Sequence, residues 1–147
     1  MLTQKDYCDY ETCVALKEMG YDGYCAAYYH LFDDEGDARN SFEHIYAFDF
    51  QNSNNIYRVG APLLYQAQKW LREEKGMLVD SMVFADNSID ADGKVVDRWI
   101  YYSCAILNTS TAEFIRSYDH SDEYDTYEEA LSEGIKAAVK ILKGEEK

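Results

Sequence analysis

The acidic stretch Asp86-Asn87-Ser88-Ile89-Asp90-Ala91-Asp92-Gly93 is the part of this chain nearest to a ligand-binding motif. Carboxylates alternating before a glycine suit a hard cation such as calcium. The register fails, however. With Gly93 at the invariant sixth loop position, the twelfth is Trp99, where a bidentate glutamate is needed. A solvated hairpin turn is the better account. Cys8, Cys13, Cys25 and Cys104 could supply a zinc site on paper, but their spacing matches no zinc finger. Cys25 and Cys104 also fall inside strand-like runs that want a small apolar residue. All four read as reduced thiols packed as small hydrophobes. His30, His44 and His120 are far apart in sequence. His30 and His44 lie on segments expected to pair, where two ordinary strand histidines explain them better than a catalytic dyad. No nucleophile stands beside a base, and there is no G-x-G-x-x-G, Walker loop or C-x-x-C. The residues therefore assign no catalytic, cofactor-binding or metal-binding position, and the chain reads as a non-enzyme without a cofactor.

The elements that would position any site are clearer. A first helix is expected after Asp9, whose side chain can accept from exposed first-turn N–H groups, and it ends at Gly20. Tyr10, Cys13, Leu16 or Lys17, and Gly20 share its inner face. Two strand-like segments follow, 24–32 and 43–50, and then a polar linker over 51–60. Pro62 suits the first position of a second helix, with Leu64, Ala67 and Leu71 buried beside Trp70 and an end at Gly76. Met77–Ala85 and Val95–Leu107 flank Asp90-Ala91-Asp92-Gly93 as a hairpin. Ala112–Tyr118 is a candidate fifth strand. Thr126-Tyr127-Glu128-Glu129 is a capping box that opens a third helix with Leu131, Ile135, Ala138 and Leu142 on one stripe. Gly134, on that stripe, marks close contact between helix and sheet, since a mid-helix glycine costs about 1 kcal/mol against alanine.

The unit helix–strand–strand is thus written twice, over about 5–50 and 61–107, with a closing helix at 126–143. The expected fold is α+β. A single domain of 147 residues would carry one antiparallel sheet of four or five strands, its helices packed mainly on one face. Against 14 basic residues stand 28 acidic ones, a formal charge of −14, which repels nucleic-acid phosphates and anionic membranes. No signal-type N-terminal segment and no apolar run near 18 residues are present, so the chain reads as cytoplasmic. Its 14 tyrosines make the sheet segments aromatic on both faces. If helices cover one side, the other exposes residues such as Tyr28, Phe32, Tyr46, Phe48 and either Trp99 or Tyr102. Either a helix covers that face too, or it is a homodimer or partner surface, or a small-ligand platform.

Four stretches form a recognisable pattern: Tyr10–Gly20 (YETCVALKEMG), Ala61–Glu73 (APLLYQAQKWLRE), Trp99–Tyr102 (WIYY) and Thr126–Ile135 (TYEEALSEGI). With them the chain resembles a family of small uncharacterised proteins common in bacteriophages and prophages of gut anaerobic bacteria. The resemblance runs over nearly the whole length. It implies a phage or prophage accessory protein working in the bacterial cytoplasm, and it brings no activity, cofactor or catalytic residue. The expected function is non-enzymatic binding of a protein partner. The alternative is an acidic mimic of DNA that occupies the basic cleft of a host enzyme.

Overall fold

Asp9 starts the first helix as its position predicts. Its Oδ1 accepts from the Thr12 N–H at 2.9 Å, and α1 runs Tyr10–Glu18. The helix stops at Met19 and Gly20, whose φ of +96° lies where glycine avoids strain. The computed structural model describes residues 2–32, 41–45, 47–53, 55–118 and 122–144. Thr12, Cys13, Ala15 and Leu16 are the buried residues of α1.

The first sheet contains β1 (Ala27–His30), β2 (Phe42–His44) and β3 (Arg58–Gly60), in the order β2-β1-β3 with both pairings antiparallel. β1 and β2 are shorter than the segments 24–32 and 43–50. Phe50 returns beside β1 only to exchange backbone hydrogen bonds with Cys25, at 2.7 and 3.1 Å. β3 corrects the reading of 51–60 as a linker. The polar side chains there serve backbone rather than solvent. Buried Asn52 accepts from the Gly60 N–H at 2.8 Å and donates to the Tyr21 carbonyl at 3.1 Å. Asn55 accepts from the Tyr57 and Arg58 N–H groups.

The second helix, α2, runs Leu64–Lys75 and also differs at its start. Pro62 is not its first residue. Leu63 is the cap, and its N–H is taken by the Gln66 side chain at 2.8 Å. The Pro62 carbonyl accepts instead from the Cys8 N–H, at 2.9 Å. Leu64, Ala67 and Leu71 are buried as expected, and Gly76 ends the helix at φ +64°.

The second sheet has the order β4-β5-β6: β4 is Met77–Ile89, β5 is Val95–Asn108 and β6 is Glu113–Arg116. β4 and β5 form a long antiparallel hairpin closed over Asp90–Gly93, where Asp90 Oδ1 accepts from the Asp92 and Lys94 N–H groups. β6 is the strand expected within 112–118. α3, Tyr127–Leu142, begins at Thr126, whose hydroxyl accepts from the Glu129 N–H at 3.1 Å.

Among the described residues the molecule is therefore α+β with three helices and six strands in two three-stranded antiparallel sheets. The single sheet of four or five strands is overturned, because the two hairpins lie in separate sheets and the first takes on β3. Both sheets and all three helices contribute to one buried cluster that includes Leu16, Val59, Leu71, Val79, Ile106 and Ile135. α3 crosses β4 and β5 at Gly134. A Cβ there would lie 2.7 Å from Val79 Cγ1 and 3.1 Å from Cys104 Cβ, so glycine sets the distance between helix and sheet.

Candidate functional site

The residues with chemical potential are engaged in the fold. All four cysteines are buried and free of disulfides. Burial pushes the Cys25 thiol up to about 12 and raises Cys8, Cys13 and Cys104 as well, which leaves little thiolate at neutral pH. Among the described residues no three His, Cys, Asp or Glu side chains converge as a metal set. His30 and His44 do not form a dyad. Tyr28 faces Glu43 and Ala27 faces His44 across β1 and β2, so the two imidazoles project from opposite faces. His30 Nε2 lies 2.6 Å from Glu43 Oε2, while the His44 ring packs against Tyr7 and Phe42. His120 lies outside the described residues. In the calcium-like stretch, Asp86 and Asp90 accept from nearby backbone N–H groups.

Of the five aromatic residues expected on a common surface, the four that are described are not alike in exposure and lie on or beside two different sheets. Tyr28 is buried, its ring 4.8 Å from the Arg58 guanidinium carbon and 5.2 Å from Phe50. Phe32 and Phe48 are exposed beside the first sheet, Trp99 is exposed on the second, and Tyr46 lies outside the described residues. Phe32 also adjoins 33–40, another segment outside the description.

A different surface is built by the outer half of the β4–β5 hairpin. Cross-strand partners share a face, so the pairs Val79/Ile106, Ser81/Cys104, Val83/Tyr102 and Ala85/Ile100 follow one another along one side. α3 covers the first two pairs. It begins at Tyr127, whose carbonyl accepts from the Ser81 hydroxyl at 3.2 Å and whose ring meets Tyr102 at 6.5 Å. The hairpin continues past that point and the helix does not. Val83 is 54% exposed, Ile100 67% and Ile89 60%. The opposite face is better covered. Phe84 stacks on buried Tyr101 at 5.4 Å, and Tyr118 closes on Phe84 at 5.7 Å and donates to Asp80.

The edges of this ribbon are partly blocked. The Ser81, Asn87 and Arg98 N–H groups each donate to the carboxylate of the preceding aspartate, Asp80, Asp86 and Asp97, at 2.8–2.9 Å. Tyr102 pairs its backbone with Tyr124. Strand addition is thereby discouraged, and the apolar face remains the more available surface. Exposed Glu123, Asp125, Glu128 and Glu129 adjoin in the chain Tyr124 and Tyr127, the two residues that meet Tyr102 at the base of this face. The sequence reading missed this surface because it ended the first strand at Ala85; the apolar positions Val83, Ala85 and Ile89, broken by Asn87, were the available signal.

A cleft of about 600 Å³ between α1 and α3 is of another kind. Lys136 bridges Asp9 at 3.2 Å and Glu133 at 3.0 Å across it, and Arg116 at its margin pairs with Asp122 at 2.8 Å. Of these, only Lys136–Asp9 ties α3 to another element, and the described residues lining the cleft include no cysteine, serine or histidine. Compared with protein-family models, curated proteins and solved structures, the chain matches none. Among the described residues no helix is long and apolar enough to cross a membrane.

Proposed function

We propose that this is a non-enzymatic accessory protein of phage or prophage type that binds another protein in the bacterial cytoplasm through the outer β4–β5 hairpin. The observation that carries the reading is the exposure of Ile100 and Val83 on the face that α3 covers nearer the base. A strand face that is core at one end and bare at the other exposes apolar area that a partner would bury. The motifs at Tyr10–Gly20, Ala61–Glu73 and Thr126–Ile135 support the phage context. The charge of −14 argues against direct contact with nucleic-acid phosphates or anionic membranes. Site-specific photo-crosslinking in the native host tests the idea. A crosslinker at position 100 should give one discrete protein adduct, and one at exposed Lys140 on α3 should not. Equal adducts from both positions, or none from position 100, would overturn it.

The acidic excess supports a second reading, an inhibitor that mimics DNA. On that reading the captured protein is a nucleic-acid-binding enzyme, and adding this chain displaces duplex DNA from it.

A further inference from the structure

We infer that the partner presents an amphipathic helix with an apolar stripe flanked by lysine and arginine, which lies on the outer face of the β4–β5 hairpin and continues the layer begun by α3. The inference rests on the reading of that face as the interaction surface and adds the chemistry of what covers it.

The fold itself shows what covers this face. At the base of the hairpin the same side of the ribbon, carrying Val79, Cys104 and Ile106, is buried beneath α3, with Gly134 at the closest approach. Further along, Val83, Tyr102, Ala85 and Ile100 continue the apolar surface, the pair Asn87/Arg98 interrupts it, and Ile89 follows. Only the helix stops. From Val83 to Ile89 is about 20 Å at the ordinary rise of a strand, which about 13 residues of helix would span. A strand from the partner fits less well, because Asp80, Asp86 and Asp97 already occupy three outward N–H groups.

Charge then selects the flanks of that helix. Tyr124 and Tyr127 meet Tyr102 where the uncovered face begins, and their chain neighbours Glu123, Asp125, Glu128 and Glu129 are exposed. A helix following on from Tyr127 would have these carboxylates beside it, so lysine or arginine on its flanks is matched and glutamate is repelled. The same charges disfavour a second copy of this chain, which would bring two molecules of −14 and two acidic margins together.

Two synthetic peptides of about 14 residues (long enough for the face) with one leucine stripe, flanked by lysine in one and glutamate in the other, test the proposal on the full ¹⁵N-labelled chain. The lysine peptide should shift the amides of Val83, Ala85, Ile100 and Tyr102, and its affinity should fall several-fold between about 50 and 300 mM salt as screening shortens. Ile100→Asp should weaken it about tenfold or more, by removing buried apolar area, while the amides of Met77–Val79 keep their positions. Binding of both peptides alike, shifts centred elsewhere, no binding, or a dimer that Ile100→Asp dissolves would each overturn the inference. Failure with the peptides alongside a specific adduct from position 100 defeats the basic helix and leaves the protein-binding reading intact. Loss of that adduct defeats the reading itself.

Discussion

At the scale of single residues, Asp9 and Gly134 show most directly how local chemistry sets stability. Burial pushes the Asp9 carboxyl up, but hydrogen bonds from Thr12 and the Lys136 ammonium outweigh it and hold the group below the usual carboxylate range. A carboxylate with a lowered folded pKa contributes stability above its unfolded value, about 3.9, and loses it as pH falls through the folded value. Asp9→Ala should therefore cost about 1 kcal/mol at neutral pH, as for an ordinary lost cap. The gap to the parent should narrow below about pH 4. Urea melts of both proteins at neutral and acid pH check this. Gly134 makes the opposite case. In an open helix Gly→Ala would gain about 1 kcal/mol. Here the new methyl meets Val79 at 2.7 Å, with Cys104 behind it. Gly134→Ala should be net destabilising, by about 1–3 kcal/mol for an overpacked core, and a stabilised variant would show that α3 lifts off without penalty.

At the scale of elements, α3 and the β4–β5 hairpin depend on each other unequally along their lengths. The Thr126 hydroxyl accepts from the Glu129 N–H, so Thr126→Ala should cost about 1 kcal/mol. Leu131 lies in the core, and Leu131→Ala should cost about 2–5 kcal/mol. Denaturant midpoints of the two variants give the ratio; near-zero effects for both would make α3 peripheral. The hairpin should divide into two regimes. Val79 is wholly buried under the helix, and Val79→Ala should cost about 1.5–3 kcal/mol. Ile100→Thr, three pairs further out on the same face, keeps a branched strand residue and should change stability by less than about 0.5 kcal/mol. A large loss at Ile100 would mean that something in the isolated chain covers it.

At the scale of the molecule, charge opposes the apolar face. The excess of 28 acidic over 14 basic residues opposes association of copies, whereas the exposed Ile100 and Val83 favour it. The isolated protein should sediment as a monomer at both low and high salt. A dimer that tightens with salt would show screening releasing self-association through this face.

What the sequence determined by itself is what neighbours within about four residues can satisfy. Asp9 and Thr126 accept from N–H groups three positions on, and Gly20 and Gly76 adopt left-handed angles at helix ends. The Asp90–Gly93 turn is equally local. The α+β class and most helix boundaries were therefore legible. The two hairpin pairings were legible as well, but the pairing of β1 with β3 was not, because its backbone hydrogen bonds go to residues far along the chain. Arg58–Gly60 is too short to show a period, and it becomes a strand only because β1 lies beside it. The same non-local pairing divided one expected sheet into two. Exposure was decided later still. Tyr28 and Ile100 are both apolar strand residues, yet Phe50 and Arg58 cover the first while α3 begins too late to cover the second. Where a helix ends relative to the strands beneath it is a fact of packing, and composition along the strand does not encode it.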